Sequence, residues 1–501
     1  MIKQKNNHMK KVISILSVVS VLVFGSCKKG FLDINTDPNR PTSSSPEQLL
    51  PNAMNVTANK LNVKLNQLGA IWSGTWAASI DYLWFMDEKL YNVNSNFYVD
   101  IWEDLYNDLA DLRYAGNAAA KTGKANHQAI AKILEVLHFQ ILVDMYNNVP
   151  YKDALKDVAV LQPSYDKGQD IYDDLIKQLD AAIQLIKTAP AGTPKPGAED
   201  IMLKGDMTKW IKFANTLKLR MLIRQSQLDR DAYIKTEIAK IVTEGTGFLG
   251  AGETVYSNPG YSGSKDKQNP FWNAFYKNEG GATKSDYRAL RPTVFVINFY
   301  KSTNDDRIAQ MYLKNGGDYK GVELNAPASK NEYRSENTSA FVVNGGVFKA
   351  LNQNAVILLS SESLFLQAEA AQRGWLSADA KALYESGIKE SFIYLGVPGA
   401  AAAAATYYGQ TLPNTGYPAD ASKQLEAIIT QKWIALNSIS GIEAWNDLRR
   451  LDLPKGVPLA IGKTVAPVRL MYPNSELGTN GANVSKENIN DPFTQKVFWD
   501  K

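Results

Sequence analysis

The sequence predicts a mainly α-helical protein, one domain of paired helices joined by long loops, with only a few short strands. Three observations carry this. Apolar residues recur at three- and four-residue spacing in window after window, the signature of amphipathic helices. Strand-like pieces are short, such as Phe341-Val342-Val343 and Val465–Leu470. Beyond residue 46, no linker, charge block or shift in composition divides the chain, and 45% of its 501 residues are hydrophobic, enough for a large core.

The helical windows are expected at 47–68, 97–120, 129–146, 166–188, 207–227, 230–243, 355–373, 377–395 and 423–438. In 129–146, Ile130, Ile133, Leu134, Leu137, Ile141 and Met145 mark one face, and Asn147-Asn148-Val149-Pro150 stops the helix. In 355–373, Ile357, Leu364, Ala368 and Ala371 repeat at helical spacing up to Arg373-Gly374. Leu425, Ile428, Ile429, Trp433 and Leu436 do the same in 423–438. Consecutive helix pairs suggest a helical-repeat scaffold, although no fixed-period repeat is visible. The alanine run Ala401–Ala405 and the Gly-, Pro- and Asn-rich stretches near 255–285 and 410–420 read as loops.

The N-terminus has a separate character. Lys3, Lys5, Lys10 and Lys11 precede an apolar run from Val12 to Phe24. A membrane-spanning helix needs roughly 20 apolar residues, so this run reads as the core of a signal peptide over 1–26. The small residues Gly25 and Ser26 stand before Cys27, the one cysteine of the chain, as in a bacterial lipobox. Cleavage after Ser26 and lipidation of Cys27 would leave no thiol for a disulfide, a nucleophile or a zinc site. Residues 27–46 then form a polar tether and 47–501 the ligand-binding body. The formal charge of +4 includes the four lysines of 1–26, which hold no acid, so the processed chain stands at 4 − 4 = 0. Such a chain carries no electrostatic footprint for nucleic acid.

Motifs that would carry catalysis do not hold up in context. Gly245-Thr246-Gly247-Phe248-Leu249-Gly250 fits a dinucleotide pattern, but it follows a helix and precedes Glu253-Thr254-Val255-Tyr256. Helix-capping and turn glycines explain it better. His127 and His138 are the only histidines beyond the signal segment and match no zinc or triad spacing, so a helix-surface or packing role is expected. The pairs Asp104/Asp108, Asp173/Asp174 and Asp305/Asp306 read as solvated helix faces. Asp33-Ile34-Asn35-Thr36-Asp37-Pro38-Asn39 resembles the first half of a calcium loop, yet Pro38 replaces the glycine and Ser44 the bidentate glutamate. Asx turns docking the tether are the preferred reading, with calcium the alternative. No cofactor and no enzymatic activity are expected.

Aromatic residues are abundant instead, with 10 Trp and 24 Tyr. Their rings offer flat apolar faces to sugar C–H groups while their polar tips reach water. One cluster comprises Trp72, Trp76, Tyr82, Trp84 and Phe85. A second, set among Ser, Gly, Asn and Lys, comprises Tyr256, Tyr261, Phe271, Trp272, Phe275 and Tyr276. Tyr82, Trp84, Tyr261, Trp272 and Tyr276 are the candidate ligand-binding residues, while Trp375, Trp433 and Trp445 are assigned to packing.

The stretch Leu425–Asn437 followed by Gly441-Ile442-Glu443-Ala444-Trp445-Asn446-Asp447-Leu448-Arg449-Arg450 resembles the signature of SusD/RagB outer-membrane lipoproteins. Asp33–Asn39, Asp144–Tyr151, Asn304–Arg307, Leu366–Trp375, Arg469–Glu476 and the terminal Lys496–Lys501 fit the same family. The resemblance implies tetratricopeptide-like helix pairs and an outer-membrane lipoprotein facing the cell exterior. It also implies a SusC-like TonB-dependent transporter as partner, over which the protein sits as a hinged lid. The cargo would be a nutrient, a glycan or oligosaccharide, with peptide capture as the alternative and a helical glycosidase as a remoter one. The family's binding aromatics differ among members, so the five candidate rings rest on composition and context alone.

Overall fold

The computed structural model describes residues 44–500. Cys27, the lipobox and the turns at Asp33–Asn39 lie outside the described residues. The first helix, α1 (Pro46–Lys60), opens with the Gln48 side chain accepting from the Ser45 N–H at 2.9 Å. It runs through a π turn, Leu61–Leu65, into α2 (Asn66–Trp72). The remaining long helices are α3 (Val99–Lys121), α4 (Ala125–Tyr146), α5 (Gly168–Lys187), α6 (Met207–Arg224), α7 (Asp231–Glu244), α8 (Ser360–Gln372), α9 (Ala380–Leu395), α10 (Ala421–Leu436) and α11 (Gly441–Leu451).

Neighbours in sequence pack in space: α3 on α4, α4 on α5, α5 on α6, α8 on α9 and α10 on α11. The Thr122–Lys124 turn leaves α3 and α4 antiparallel, as short helix connections do. These are the helix pairs that the sequence predicts. Of them α4 lies deepest, since residues on both of its faces are buried, Ile130, Ile133 and Leu137 on one, Val136, Phe139 and Val143 on the others. A helix that is apolar all round belongs in a core.

Three two-stranded antiparallel ribbons stitch the loops. Trp76–Ala78 (β1) pairs with Leu290–Pro292 (β5), Val149–Pro150 (β2) with Tyr165–Asp166 (β3), and Val255–Ser257 (β4) with Ala355–Leu358 (β6). Here the sequence reading needs correction. Residues 355–358, assigned to a helix, are strand β6, and α8 starts only at Ser360. The unbroken apolar run fits a buried strand as well as a buried helix, and pairing with β4 decides between them. Ala401–Ala405, read as a loop, lies inside the helix Ala400–Tyr408, as the high helix propensity of alanine favours. Of the expected strands, Phe341 makes only an isolated bridge to Tyr312, and Val465–Leu470 forms none; Leu470 N–H donates instead to the Met145 carbonyl at 2.9 Å.

A buried charged network joins α6, α8, α10 and α11. Arg220 pairs with Glu362 at 2.8 Å, Arg224 with Glu443 at 2.5 Å, and Lys432 with Asp447 at 2.9 Å. Arg450 bridges Glu369 at 2.6 Å and Asp447 at 2.9 Å. Burial alone would raise the Glu443 carboxyl, but Arg224, Arg220 and Lys432 hold it down at about 2. Asp144 accepts from Trp499 Nε1 at 2.9 Å, and the Arg449 guanidinium lies 3.7 Å above Trp445 and 4.6 Å from Trp499. The motif residues of 425–450 and the terminal Trp499 are thus scaffold, and Trp375, Trp433 and Trp445 are buried, as expected. Gly245, at φ 88°, caps α7, so the GxGxxG pattern is a helix stop. His127 and His138 are both buried.

Candidate functional site

A groove of about 770 Å³ opens between α1 and the loop that follows β4. One wall is a row of exposed asparagines, Asn52, Asn55 and Asn59, set at helical spacing on the outward face of α1. Opposite stand Tyr261, Asp266, Lys267 and Gln268, with Asn273 and Lys284 at one end; Val63, Pro270 and Ala274 supply apolar surface.

Local chemistry fixes Tyr261. Asn258 Oδ1 accepts from the Gly260 and Tyr261 N–H groups at 2.8 and 3.0 Å, an Asx turn. Gly260, at φ 94°, supplies the positive φ that L side chains avoid. The Asn258 amide is held in turn by Asn354 Oδ1 at 2.7 Å. The Tyr261 ring packs its inner side on the core, and its hydroxyl reaches across the groove to Asn55 Oδ1 at 3.4 Å. Burial pushes the phenol well above its ordinary pKa, so it remains a hydrogen-bond donor at physiological pH. Gln268 is buried, with Nε2 donating to the Asn278 carbonyl at 3.4 Å and Oε1 without a partner among the described residues. Lys284 Nζ donates to the Asn273 carbonyl at 2.9 Å. The groove thus offers amide donors and acceptors, one aromatic ring and mixed charge. Such a lining suits a ligand rich in hydroxyl groups.

The structure separates the five candidate rings. Tyr261 alone lines the groove. Trp272 and Tyr276 are turned into the core, 6% and 9% exposed, and pack edge to face on each other at 4.7 Å. The cause is local, because Asn269 Oδ1 accepts from the Trp272 N–H at 3.0 Å and caps a short helix, Pro270–Phe275, which directs Phe271, Trp272 and Phe275 inward. Their rings are closed to a ligand, which corrects the assignment of Trp272 and Tyr276. Tyr82 and Trp84 remain partly exposed on the loop after β1, beside Leu83 at 84% exposure, and are not part of the groove. Sequence reading missed the asparagine row. Its signal, three asparagines at positions i, i+3 and i+7 of a predicted helix, was present in 47–68.

The sequence profile of a SusD-like family, described as "Starch-binding associating with outer membrane", matches residues 38–473. The chain belongs to the SusD-like family. Members of this family are binding proteins rather than enzymes. Solved structures share the fold of this SusD-like protein along nearly its whole length. A chitin-binding protein aligns with a TM-score of 0.75 at 24% identity, covering 91% of this chain and 99% of its own. A chitin-binding SusD homolog from Flavobacterium johnsoniae gives 0.74 at 24% identity, with 90% and 98% covered. A SusD homolog from Bacteroides uniformis gives 0.71 at 23% identity, with 90% and 99% covered. No curated protein sequence matches. Among the described residues no helix is long and apolar enough to cross a membrane, and no group of His, Cys, Asp or Glu side chains is arranged to hold a metal ion.

Proposed function

We propose that this SusD-like protein is an outer-membrane lipoprotein that captures a glycan in the Tyr261 groove and passes it to a TonB-dependent transporter. The groove carries the reading: a ring that a sugar can stack on stands opposite a ladder of amides at the spacing of a helix. The family description names starch, and two structural relatives are named for chitin, so α-glucans and chito-oligosaccharides are the first classes to try. Lipidation at Cys27 supplies the anchor, and the signal peptide over 1–26 supplies export. A lid that must release its cargo needs only micromolar or weaker affinity, about −8 kcal/mol or less in magnitude.

The test is affinity electrophoresis of the native protein and of Tyr261→Ala through gels containing individual polysaccharides, with reducing ends assayed in parallel. Retardation by one glycan class that Tyr261→Ala weakens, without new reducing ends, supports capture. Heat on adding oligopeptides, with no retardation by any glycan, transfers the protein to peptide capture. Turnover of a retarding glycan sinks the non-catalytic reading.

A further inference from the structure

On the far side of the asparagine row lies a second cleft, of about 320 Å³, between α1 and α3. Asn52, Asn55 and Asn59 border both this cleft and the Tyr261 groove. The wall supplied by α3 is acidic: Asp104, Asp108 and Asp111 fall at i, i+4 and i+7 on one face. Asp104 is paired with Lys60, which also reaches Asp100 at 3.1 Å. Among the described residues, Lys60 is the only cation lining the cleft.

Asp108 differs from its neighbours. It is 3% exposed, and neither carboxyl oxygen has a hydrogen-bond partner among the described residues. Its nearest titratable neighbour across the helix packing is His138 on α4, at 3.5 Å, and the His138 ring is itself engaged by Thr57 Oγ1 of α1 at 2.8 Å. Burial pushes the His138 imidazole down to about 3, so it brings no charge to Asp108. Burial, then Asp111 and Asp104, pushes the Asp108 carboxyl up to about 8. A buried acid left without a partner disfavours the folded state unless something completes it. The described residues hold no arrangement for a metal ion here.

We infer that the cleft receives a primary ammonium group, and that the captured glycan is one carrying free amino sugars. The inference rests on the glycan reading of the adjoining groove. A sugar residue stacked on Tyr261 and bonded to the asparagines places the next residue of the chain at the α1 ridge. An ammonium beyond that ridge meets Asp111 at the partly exposed rim, with the buried, unpartnered Asp108 behind it. The N–H donors of an ammonium match the oxygens of these two acids, and its positive charge favours the ionised form of Asp108, whose proton passes to solvent. An N-acetylated amine carries no charge and has one donor, so it would leave the acids uncompensated. A peptide lysine offers the same ammonium, but it lacks the hydroxyl-rich ring that the shared asparagine wall is built to hold.

The experiment is calorimetry on the full chain in detergent, with the glucosamine hexamer, the N-acetylglucosamine hexamer and trilysine as probes. The glucosamine hexamer is expected to bind at least tenfold more tightly than the N-acetylated one. Asp108→Asn, nearly isosteric, is expected to bring the two within threefold, and Asp111→Asn, at the partly exposed rim, to narrow the gap. Equal affinity for the two hexamers in the native protein overturns the inference, as does a preference that survives in a folded Asp108→Asn. Trilysine binding that depends on Asp108, without glucosamine binding, also overturns it. If an uncharged glycan binds through Tyr261 with no preference for amines, only this inference falls. If no glycan binds at all, the groove reading falls with it.

Discussion

Tyr261 and Trp272 stand in the same loop-rich stretch, and packing gives them opposite roles. The Asx turn at Asn258 holds Tyr261 at the groove, while the Asn269 cap turns Trp272 into the core. Tyr261→Ala is therefore expected to weaken glycan binding by about 1–2 kcal/mol, roughly 5- to 30-fold in Kd, by calorimetry. Trp272→Ala should instead cost about 3–5 kcal/mol of stability in denaturant unfolding. Loss of affinity without loss of stability in Trp272→Ala would return that ring to the site. Asp108 makes a second prediction. Its folded-state pKa, about 8, lies above the ordinary 3.8, so the folded state holds that proton more tightly. Stability is then greatest below pH 4 as far as this group is concerned, and falls as pH rises through 8. Asp108→Asn removes that fall and is expected to raise stability at pH 8 by about 1–3 kcal/mol. A thermal melting series from pH 5 to 9 on both proteins reads the difference.

At the scale of elements, the crossing of α2 and α11 depends on two glycines. A Cβ at Gly69 would stand 2.1 Å from the Gly441 carbonyl carbon, and one at Gly441 would stand 2.4 Å from the Ala70 nitrogen. The obstacle is backbone in both cases, so neither helix can relieve the clash by moving a side chain. Gly441→Ala is expected to destabilise the fold by about 1–3 kcal/mol or more, seen as a lower urea midpoint. A midpoint equal to that of the native protein would show that the helices can separate. The helix Ala400–Tyr408 makes the complementary point. The Ala401–Ala405 run reads as a loop in the sequence, yet the segment is a helix: alanine favours that state, and α9 gives it a surface to pack on.

For the molecule as a whole, the buried ionic network ties together helices far apart in sequence. Glu443 is depressed to about 2, below its ordinary 4.5, so its contribution is present above pH 4.5 and is lost as pH falls through 2. Glu443→Gln leaves Arg224 and Arg220 short of a counter-charge in the interior, and should cost about 3–5 kcal/mol at neutral pH. The variant should also show a shallower loss of stability between pH 4.5 and 2 when melted across that range. The transfer to a transporter proposed above would need an exposed face. Leu83, Met86 and Leu90 project from the loop after β1 and the short helix Met86–Leu90, and Leu459, Ile461 and Val465 from the 454–466 loop. These loops adjoin, since the Ala460 N–H donates to the Tyr91 hydroxyl at 3.1 Å. Leu83→Asp with Ile461→Asp is expected to reduce co-purification of the transporter while leaving glycan affinity unchanged. An undiminished yield would place the docking face elsewhere.

The helix pairs were legible because amphipathic periodicity is a local property, written every three or four residues in 129–146 and 423–438. The motifs of 425–450 were legible for the same reason, being one continuous run. Strand β6 was not, because Ala355–Leu358 becomes a strand only by pairing with Val255–Ser257 about a hundred residues earlier. The site shows the same division. Composition pointed to aromatics and amides in the 255–285 loop. Which ring faces outward, and which helix supplies the opposite wall, depended on bringing Asn52, Asn55 and Asn59 next to Tyr261. The sequence by itself determined the helical class and the family. Tertiary structure alone chose the side chains that line the groove, because burial and distance are set by contacts between segments that no local pattern records.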